Sequence, residues 1–205
     1  VCWGSNGYGE NDVPALVNPK YVDTGPDHAC AIDDDGVKCW GRNNEGQANE
    51  FILGSPTQVS AGGYHTCALN NAGLLCLGRN DYGQIDLPQH PKTPLTNPSQ
   101  VSAGELHTCA LDDNGVSCWG SNDYEQTDVP TLVNPTQVEA GSRHTCAIDD
   151  TGVVCWGEVS THSLRFDADN DGVSRQNGRD ALPLNASEWK DYDGDGVGDI
   201  ADTDD

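Results

Sequence analysis

Two sets of residues in this chain have the types and spacing to do chemistry: a run of C-terminal aspartates and nine cysteines. Asp191, Asp193, Asp195, Asp199 and Asp202 stand at positions 1, 3, 5, 9 and 12 of one stretch, with Gly196 at position 6. Ca²⁺ takes roughly six to eight hard oxygen ligands, and alternate carboxylates around a glycine-permitted bend supply them. Without a cation those carboxylates repel one another at short range. An EF-hand would need a bidentate Glu at the twelfth position between two helices, and Asp202 has no helical flanks. A second, less regular copy begins at Asp167, Asp169 and Asp171; Arg175 then interrupts it and Asp180 falls two positions late. Calcium at both loops is the expectation, and a solvating acidic tail the alternative.

Eight of the cysteines form couples nine positions apart: Cys30/Cys39, Cys67/Cys76, Cys109/Cys118 and Cys146/Cys155. No C-x₂₋₄-C zinc knuckle occurs. Each couple brackets a polar, Gly-containing turn flanked by β-prone residues, which is the pattern of a β-hairpin. With the third turn at Asp113-Asn114, Asp112 opposes Gly115, Leu111 opposes Val116, Ala110 opposes Ser117 and Cys109 opposes Cys118. The cysteines then fall on a non-hydrogen-bonded pair, where the backbones come closest and a short bridge fits. Disulfides within each hairpin are expected, with reduced core thiols as the alternative. They would place the chain in an oxidising compartment: periplasm, cell surface or outside the cell.

The elements that position these couples repeat. The step is 37 residues from Cys30 to Cys67, 42 to Cys109 and 37 to Cys146, and Cys2-Trp3-Gly4 sits 37 before Cys39-Trp40-Gly41. Gln58-Val59, Gln100-Val101 and Gln137-Val138 each lead to Ala-Gly before a hairpin, and Gly-(Ser/Arg)-Asn follows, as at Gly41-Arg42-Asn43 and Gly120-Ser121-Asn122. Pro88-Gln89-His90-Pro91 lengthens the third unit as a surface insertion. Periods of about 40 residues with short strands and Gly/Trp punctuation point to propeller blades. A helical repeat would need apolar residues at i, i+3, i+4 and i+7, and no useful stretch has them.

The recurrent Ala-Gly-x-x-His-Thr-Cys-Ala-Leu-x(4)-Gly-Val-x-Cys-Trp-Gly-x-Asn resembles the repeat of the regulator-of-chromosome-condensation β-propellers, in their cysteine-rich bacterial extracellular form. The likeness covers residues 1–157. It implies blades of a seven-bladed ring, of which this chain holds about four, an incomplete ring. Leu77 for Trp, Glu125 for Gly and Pro26-Asp27 before the first His depart from the pattern. The acidic pattern D-x-D-x-D-G-x-x-D-x-x-D similarly resembles the thrombospondin type 3 calcium repeat, with residues 181–189 as its spacer. The fold class expected is therefore all-β: propeller blades at 1–157, a linker at 158–166 and an irregular calcium-binding segment at 167–205. Asn185-Ala186-Ser187 is formally a glycosylation sequon and reads as spacer.

His28, His65, His107 and His144 recur once per unit. A residue every unit needs serves the unit, here as a hydrogen bond tying one strand to its neighbour, whereas metal ligands must converge on one point. Trp3, Trp40, Trp119 and Trp156 directly follow Cys, so in a strand they face away from the sulfur and pack between blades. Only His90 and His162 stand outside the repeat, and no Ser-His-Asp or Cys-His set is discernible, so no catalytic residue is assigned.

With 33 acidic and 10 basic residues the net charge is −23, of which residues 167–205 contribute −9. Nucleic acid and anionic membrane surfaces are poor partners, because binding them rests on Lys and Arg. No apolar run approaches the ~18–20 residues of a membrane span. Cys2 lacks an upstream partner and Asp202-Thr203-Asp204-Asp205 opens like a further acidic repeat, so the chain reads as a piece of a longer protein. The function expected is a non-enzymatic secreted or cell-surface binder of a protein or glycan, with a calcium-stiffened stalk. Other copies, or the missing part of the same protein, would complete the propeller. A stand-alone inhibitor or receptor-type binder is the alternative, and a propeller lyase or hydrolase ranks below both.

Overall fold

Each run of the type His-(Ala/Thr)-Cys-Ala-(Ile/Leu) alternates small or apolar residues with the hairpin cysteine, and each becomes the middle strand of a three-stranded antiparallel sheet. The structure, a computed structural model, describes residues 1–88 and 94–158. These lie in the first of two units, Val1–Glu158 and Val159–Asp205. Blade 1 comprises β1 (Tyr21–Thr24), β2 (His28–Asp33) and β3 (Gly36–Gly41), and blade 2 comprises β4 (Pro56–Ala61), β5 (His65–Asn70) and β6 (Gly73–Gly78). Blade 3 is β7 (Gln100–Ala103), β8 (His107–Asp112) and β9 (Gly115–Gly120), and blade 4 is β10 (Gln137–Ala140), β11 (His144–Asp149) and β12 (Gly152–Gly157). The fold is all-β, and among the described residues no helix is long and apolar enough to cross a membrane.

The hairpin register is the one the cysteine spacing dictates. In blade 3, Asp112 pairs with Gly115, Leu111 with Val116, Ala110 with Ser117 and Cys109 with Cys118. All four couples are disulfide-bonded, with Cα–Cα separations of 4.0 or 4.1 Å. Closing a loop this short by a covalent link contributes about 2–4 kcal/mol, mostly by restricting the unfolded chain.

Aspartates at the ends of the middle strands fix the turns. The Asp33 carboxylate accepts from the backbone N–H of Val17 at 2.9 Å, of Asp35 at 2.9 Å and of Gly36 at 3.1 Å, and from Lys38 Nζ at 2.9 Å. The Val17 N–H, then Lys38, hold this carboxyl down at about 2. Asp112 and Asp149 accept from Thr96 N at 2.7 Å and Val133 N at 2.8 Å in the same way. Each such aspartate joins its hairpin to the segment entering the blade 16 residues earlier.

The core lies between blades, because a three-stranded sheet cannot bury its own faces. Cys30, Ile32 and Val37 of blade 1 pack on Val59 and Ala68 of blade 2; Cys67 and Leu69 pack on Val101; Cys109 and Leu111 pack on Val138, Ala147 and Trp156. Cysteines thus face the following blade. The Trp side faces the preceding one, with Trp40 packing against Ala29 and Ala31 and beside Leu16 and Cys2.

Candidate functional site

The seams between blades hold the recurrent histidines. His28 Nε2 lies 2.7 Å from Thr66 Oγ1, His65 Nε2 2.8 Å from Thr108 Oγ1, and His107 Nε2 2.9 Å from Thr145 Oγ1. Each threonine hydroxyl donates onward to a backbone oxygen: Thr66 to Gln47 O at 2.8 Å, Thr108 to Gln84 O at 2.8 Å and Thr145 to Gln126 O at 2.9 Å. A hydroxyl has one hydrogen, so the histidine must be the donor, which assigns the proton to Nε2. Nδ1 of His28, His65 and His107 is then a lone-pair acceptor, buried and without a partner. All three rings are at most 1 % exposed. Burial lowers their pKa values to about 4, about 3 and about 4 in chain order; nearby His107 and His28 add to the effect at His65, and Asp23 and Asp27 oppose it at His28. These are neutral structural ties, as the recurrence implies. His144, with no fifth blade beside it, is exposed.

Two further ties cross each seam. The side-chain amide of Gln58 donates to Val101 O and accepts from Val101 N, both at 2.9 Å, and Gln100 does the same to Val138 at 3.0 and 2.9 Å. A carboxamide carries the same donor and acceptor as a peptide unit, so it substitutes for a strand neighbour. Ser60 Oγ accepts from Ala103 N at 3.0 Å and Ser102 Oγ from Ala140 N at 2.9 Å; Asp23 replaces the serine at the first seam, accepting from Ala61 N at 2.9 Å. The Ala-Gly glycines belong to this packing. A Cβ on Gly62 would overlap Gly104 O and the His65 ring, and one on Gly104 would overlap Gly141 O and the His107 ring.

The tryptophans reach backwards. Trp119 Nε1 donates to Gln84 O at 3.0 Å, Trp156 Nε1 to Gln126 O at 2.9 Å and Trp40 Nε1 to Glu10 O at 2.8 Å. Gln84 O and Gln126 O therefore each accept from a threonine and a tryptophan. Leu77 stands at this position in blade 2, and Gln47 O receives Thr66 alone. The departure is thus more than packing detail, since it removes one donor from a seam. Phe51, at 6 % exposure, fills the same seam with Leu53, Leu75 and Leu77 around it.

The loops after the third strands share one construction. Asn43 Oδ1 accepts from Ala48 N at 2.9 Å and Gln47 Oε1 from Glu45 N at 3.0 Å; Asn80 with Gln84 and Asn122 with Gln126 repeat it. On the same side Arg42 lies between the rings of Tyr8 and Tyr64, at 5.1 and 5.3 Å, and pairs with Asp27 at 3.0 Å. Arg79 lies over Tyr64 and Arg143 over Tyr124, paired with Asp81 and Glu158. All three arginines of the described residues are held in this way.

Among the described residues no group of three His, Cys, Asp or Glu could hold a metal ion. The nine candidate calcium ligands Asp167, Asp169, Asp171, Asp180, Asp191, Asp193, Asp195, Asp199 and Asp202 lie outside the described residues, as do His90 and His162. Sequence reasoning found the histidines but missed their threonine partners. The signal was the residue before each hairpin cysteine: Thr66, Thr108 and Thr145, but Ala29 in blade 1.

Comparison with known proteins places this geometry. The sequence family described as "Regulator of chromosome condensation (RCC1) repeat" matches residues 20–47, 57–84, 99–126 and 136–162, more than half of the chain. A search of curated proteins found no match. Among solved structures, the ectodomain of the Physcomitrella patens receptor kinase CR4 is 27 % identical, with a TM-score of 0.63, 78 % of this chain and 47 % of that chain covered. The CRINKLY WD40 ectodomain of the Arabidopsis thaliana receptor kinase ACR4 is 28 % identical, with a TM-score of 0.50, 69 % of this chain and 51 % of that one covered. Prp20p from Saccharomyces cerevisiae, described with its binding to Gsp1p and histones, is 19 % identical with a TM-score of 0.60, covering 71 % of this chain and 46 % of its own, and shows the fold alone. The chain spans about half the length of these structures.

Proposed function

Because the chain belongs to the regulator of chromosome condensation (RCC1) repeat family, we propose that it is a non-enzymatic extracellular binding scaffold: blades that present loops to a protein or glycan partner, with the acidic segment as a calcium-organised stalk. The observation that carries the reading is how the chemistry-bearing side chains of the described blades are used. The eight paired cysteines are closed in disulfides, and three of the four recurrent histidines are buried neutral donors to threonine. What the blades leave for a partner is loop surface, where propeller specificity resides. Four hairpin disulfides in one short chain suit an oxidising compartment, and the receptor-ectodomain relatives support the same placement. The spacing of Asp191, Asp193, Asp195, Asp199 and Asp202 supports calcium as the cofactor of the stalk. Further blades, from another copy or from the rest of the protein, would cover the exposed faces of blades 1 and 4.

The test is a calcium titration of the full chain by calorimetry, followed by a pull-down from an extracellular protein fraction with and without chelator. Calcium binding that Asp195→Ala weakens, with a partner retained under chelation, is the expected result. Absence of calcium binding at millimolar Ca²⁺ overturns the stalk. A partner lost under chelation moves recognition from the blades to the acidic segment.

A further inference from the structure

Cys2 occupies the repeat position of Cys39, Cys76, Cys118 and Cys155, each of which is bonded to the cysteine of a neighbouring His-(Ala/Thr)-Cys-Ala strand. Among the described residues Cys2 is free, and residues 1–4 have no strand partner. Beside them opens a cleft of about 790 Å³ whose lining includes Cys2, Trp3, Val22, Ala29, Ala31 and Trp40. Trp3 is 85 % exposed, whereas Trp40 and Trp156, at the same repeat position, are each 8 % exposed. Blade 1 shows what such a tryptophan lies on: Trp40 packs across Ala29 and Ala31, the two small residues flanking Cys30.

Half of an arrangement that the chain builds four times is therefore present here: a sulfur, an indole and an unpaired backbone edge, all facing one cleft. We propose that Cys2-Trp3-Gly4 and this cleft form an acceptor for a single β-strand of the pattern small-Cys-small, which pairs antiparallel to residues 1–4 and becomes disulfide-bonded to Cys2. The occupant is a strand of the same repeat type supplied by polypeptide outside the described residues. Small residues flanking its cysteine are required, because the Trp3 ring must lie across them. Register is equally strict: a slip of one residue turns the incoming sulfur to the opposite face. In the covalent step the Cys2 thiolate attacks a disulfide oxidant such as oxidised glutathione and releases one glutathione thiolate. The incoming cysteine thiolate then displaces the second, so two protein thiols become one disulfide and the oxidant becomes two thiols.

The probe is a peptide with the chain's own sequence from Gly104 to Asp112, Gly-Glu-Leu-His-Thr-Cys-Ala-Leu-Asp, added to the full-length chain in a glutathione redox buffer. Mixed disulfide is read by intact mass, and burial of Trp3 by a blue shift of its fluorescence. The native-order peptide is expected to give about tenfold more adduct than one with Thr and Cys exchanged or one with Leu on both sides of Cys, a ratio of about 1.4 kcal/mol. Cys2→Ser abolishes the adduct. Equal adduct with all three peptides would make Cys2 an ordinary exposed thiol and overturn the proposal, as would no adduct with the native-order peptide.

Discussion

His65 Nε2 donates to Thr108 Oγ1 at 2.8 Å across a blade boundary, between residues 43 positions apart in the chain. The same threonine passes its own hydrogen to Gln84 O, so one hydroxyl ties the middle strand of blade 2, that of blade 3 and the loop between those two blades. Losing the hydroxyl uncouples all three.

The seams differ in what such a loss leaves behind. Thr108→Ala strands the His65 N–H, but Gln84 O keeps Trp119 as a donor. Thr66→Ala strands the His28 N–H and also Gln47 O, because Leu77 provides no indole. An unsatisfied buried polar group costs about 1–3 kcal/mol. Thr66→Ala is therefore expected to lower the thermal midpoint more than Thr108→Ala, by roughly one such group. Equal losses for the two variants would show that Trp119 does not compensate.

Acid should act on the seams. The folded pKa values of His28, His65 and His107 lie near 4, 3 and 4, below the ordinary 6.5, chiefly because burial disfavours the charged ring. Below pH 6.5 the unfolded chain binds protons that the folded one refuses. The stabilisation is thus complete above pH 6.5 and is lost as pH falls toward 4, at up to about 1.4 kcal/mol per pH unit for each fully buried ring. Thermal midpoints recorded without calcium should hold from pH 8 to 7 and fall steadily from pH 6 to 5. A flat profile over that lower interval would mean that the rings are not buried neutral.

Glu125 has φ 61° where Gly9, Gly46 and Gly83, the corresponding loop residues, have 84°, 82° and 75°. A side chain in this left-handed region crowds the following carbonyl, at about 1–2 kcal/mol, part of which glycine returns as unfolded-state entropy. Glu125→Gly should stabilise the chain by about 0.5–1 kcal/mol, measured as a raised denaturation midpoint, and Gly46→Ala should do the opposite. No change in either variant would remove strain from the account.

How much of this was legible follows from the range of the interactions. The couple Cys109/Cys118 fixes the pairing of its own hairpin, because the period of a strand and the length of the turn leave one register, and Ala110 opposite Ser117 follows. Trp156 was placed on the face away from Cys155 by the same alternation. The ties of Gln58 to Val101 and of His65 to Thr108 were not legible as pairs. Their residues recur in every unit, so periodicity marks them as needed but leaves open whether a residue serves its own copy or the next. That choice is settled by packing, where β4 meets β7, and no local pattern reports it. The meaning of Leu77 and Ala29 was hidden for the same reason, since each matters only through a neighbour one repeat away.

Every seam is written in the same direction: histidine and glutamine point to the following unit, and tryptophan to the loop before it. Blades 2, 3 and 4 carry both halves of this grammar, a forward histidine and a threonine to receive one. Excising a whole repeat such as blade 3 would bring His65 to Thr145 and Gln58 to Val138, and no donor or acceptor would be orphaned. Chains of this kind can therefore lengthen or shorten by complete units without any new contact having to evolve. Blade 1, with Ala29 in the receiving position, is the exception: it can begin such a series but cannot be exchanged into the middle of one.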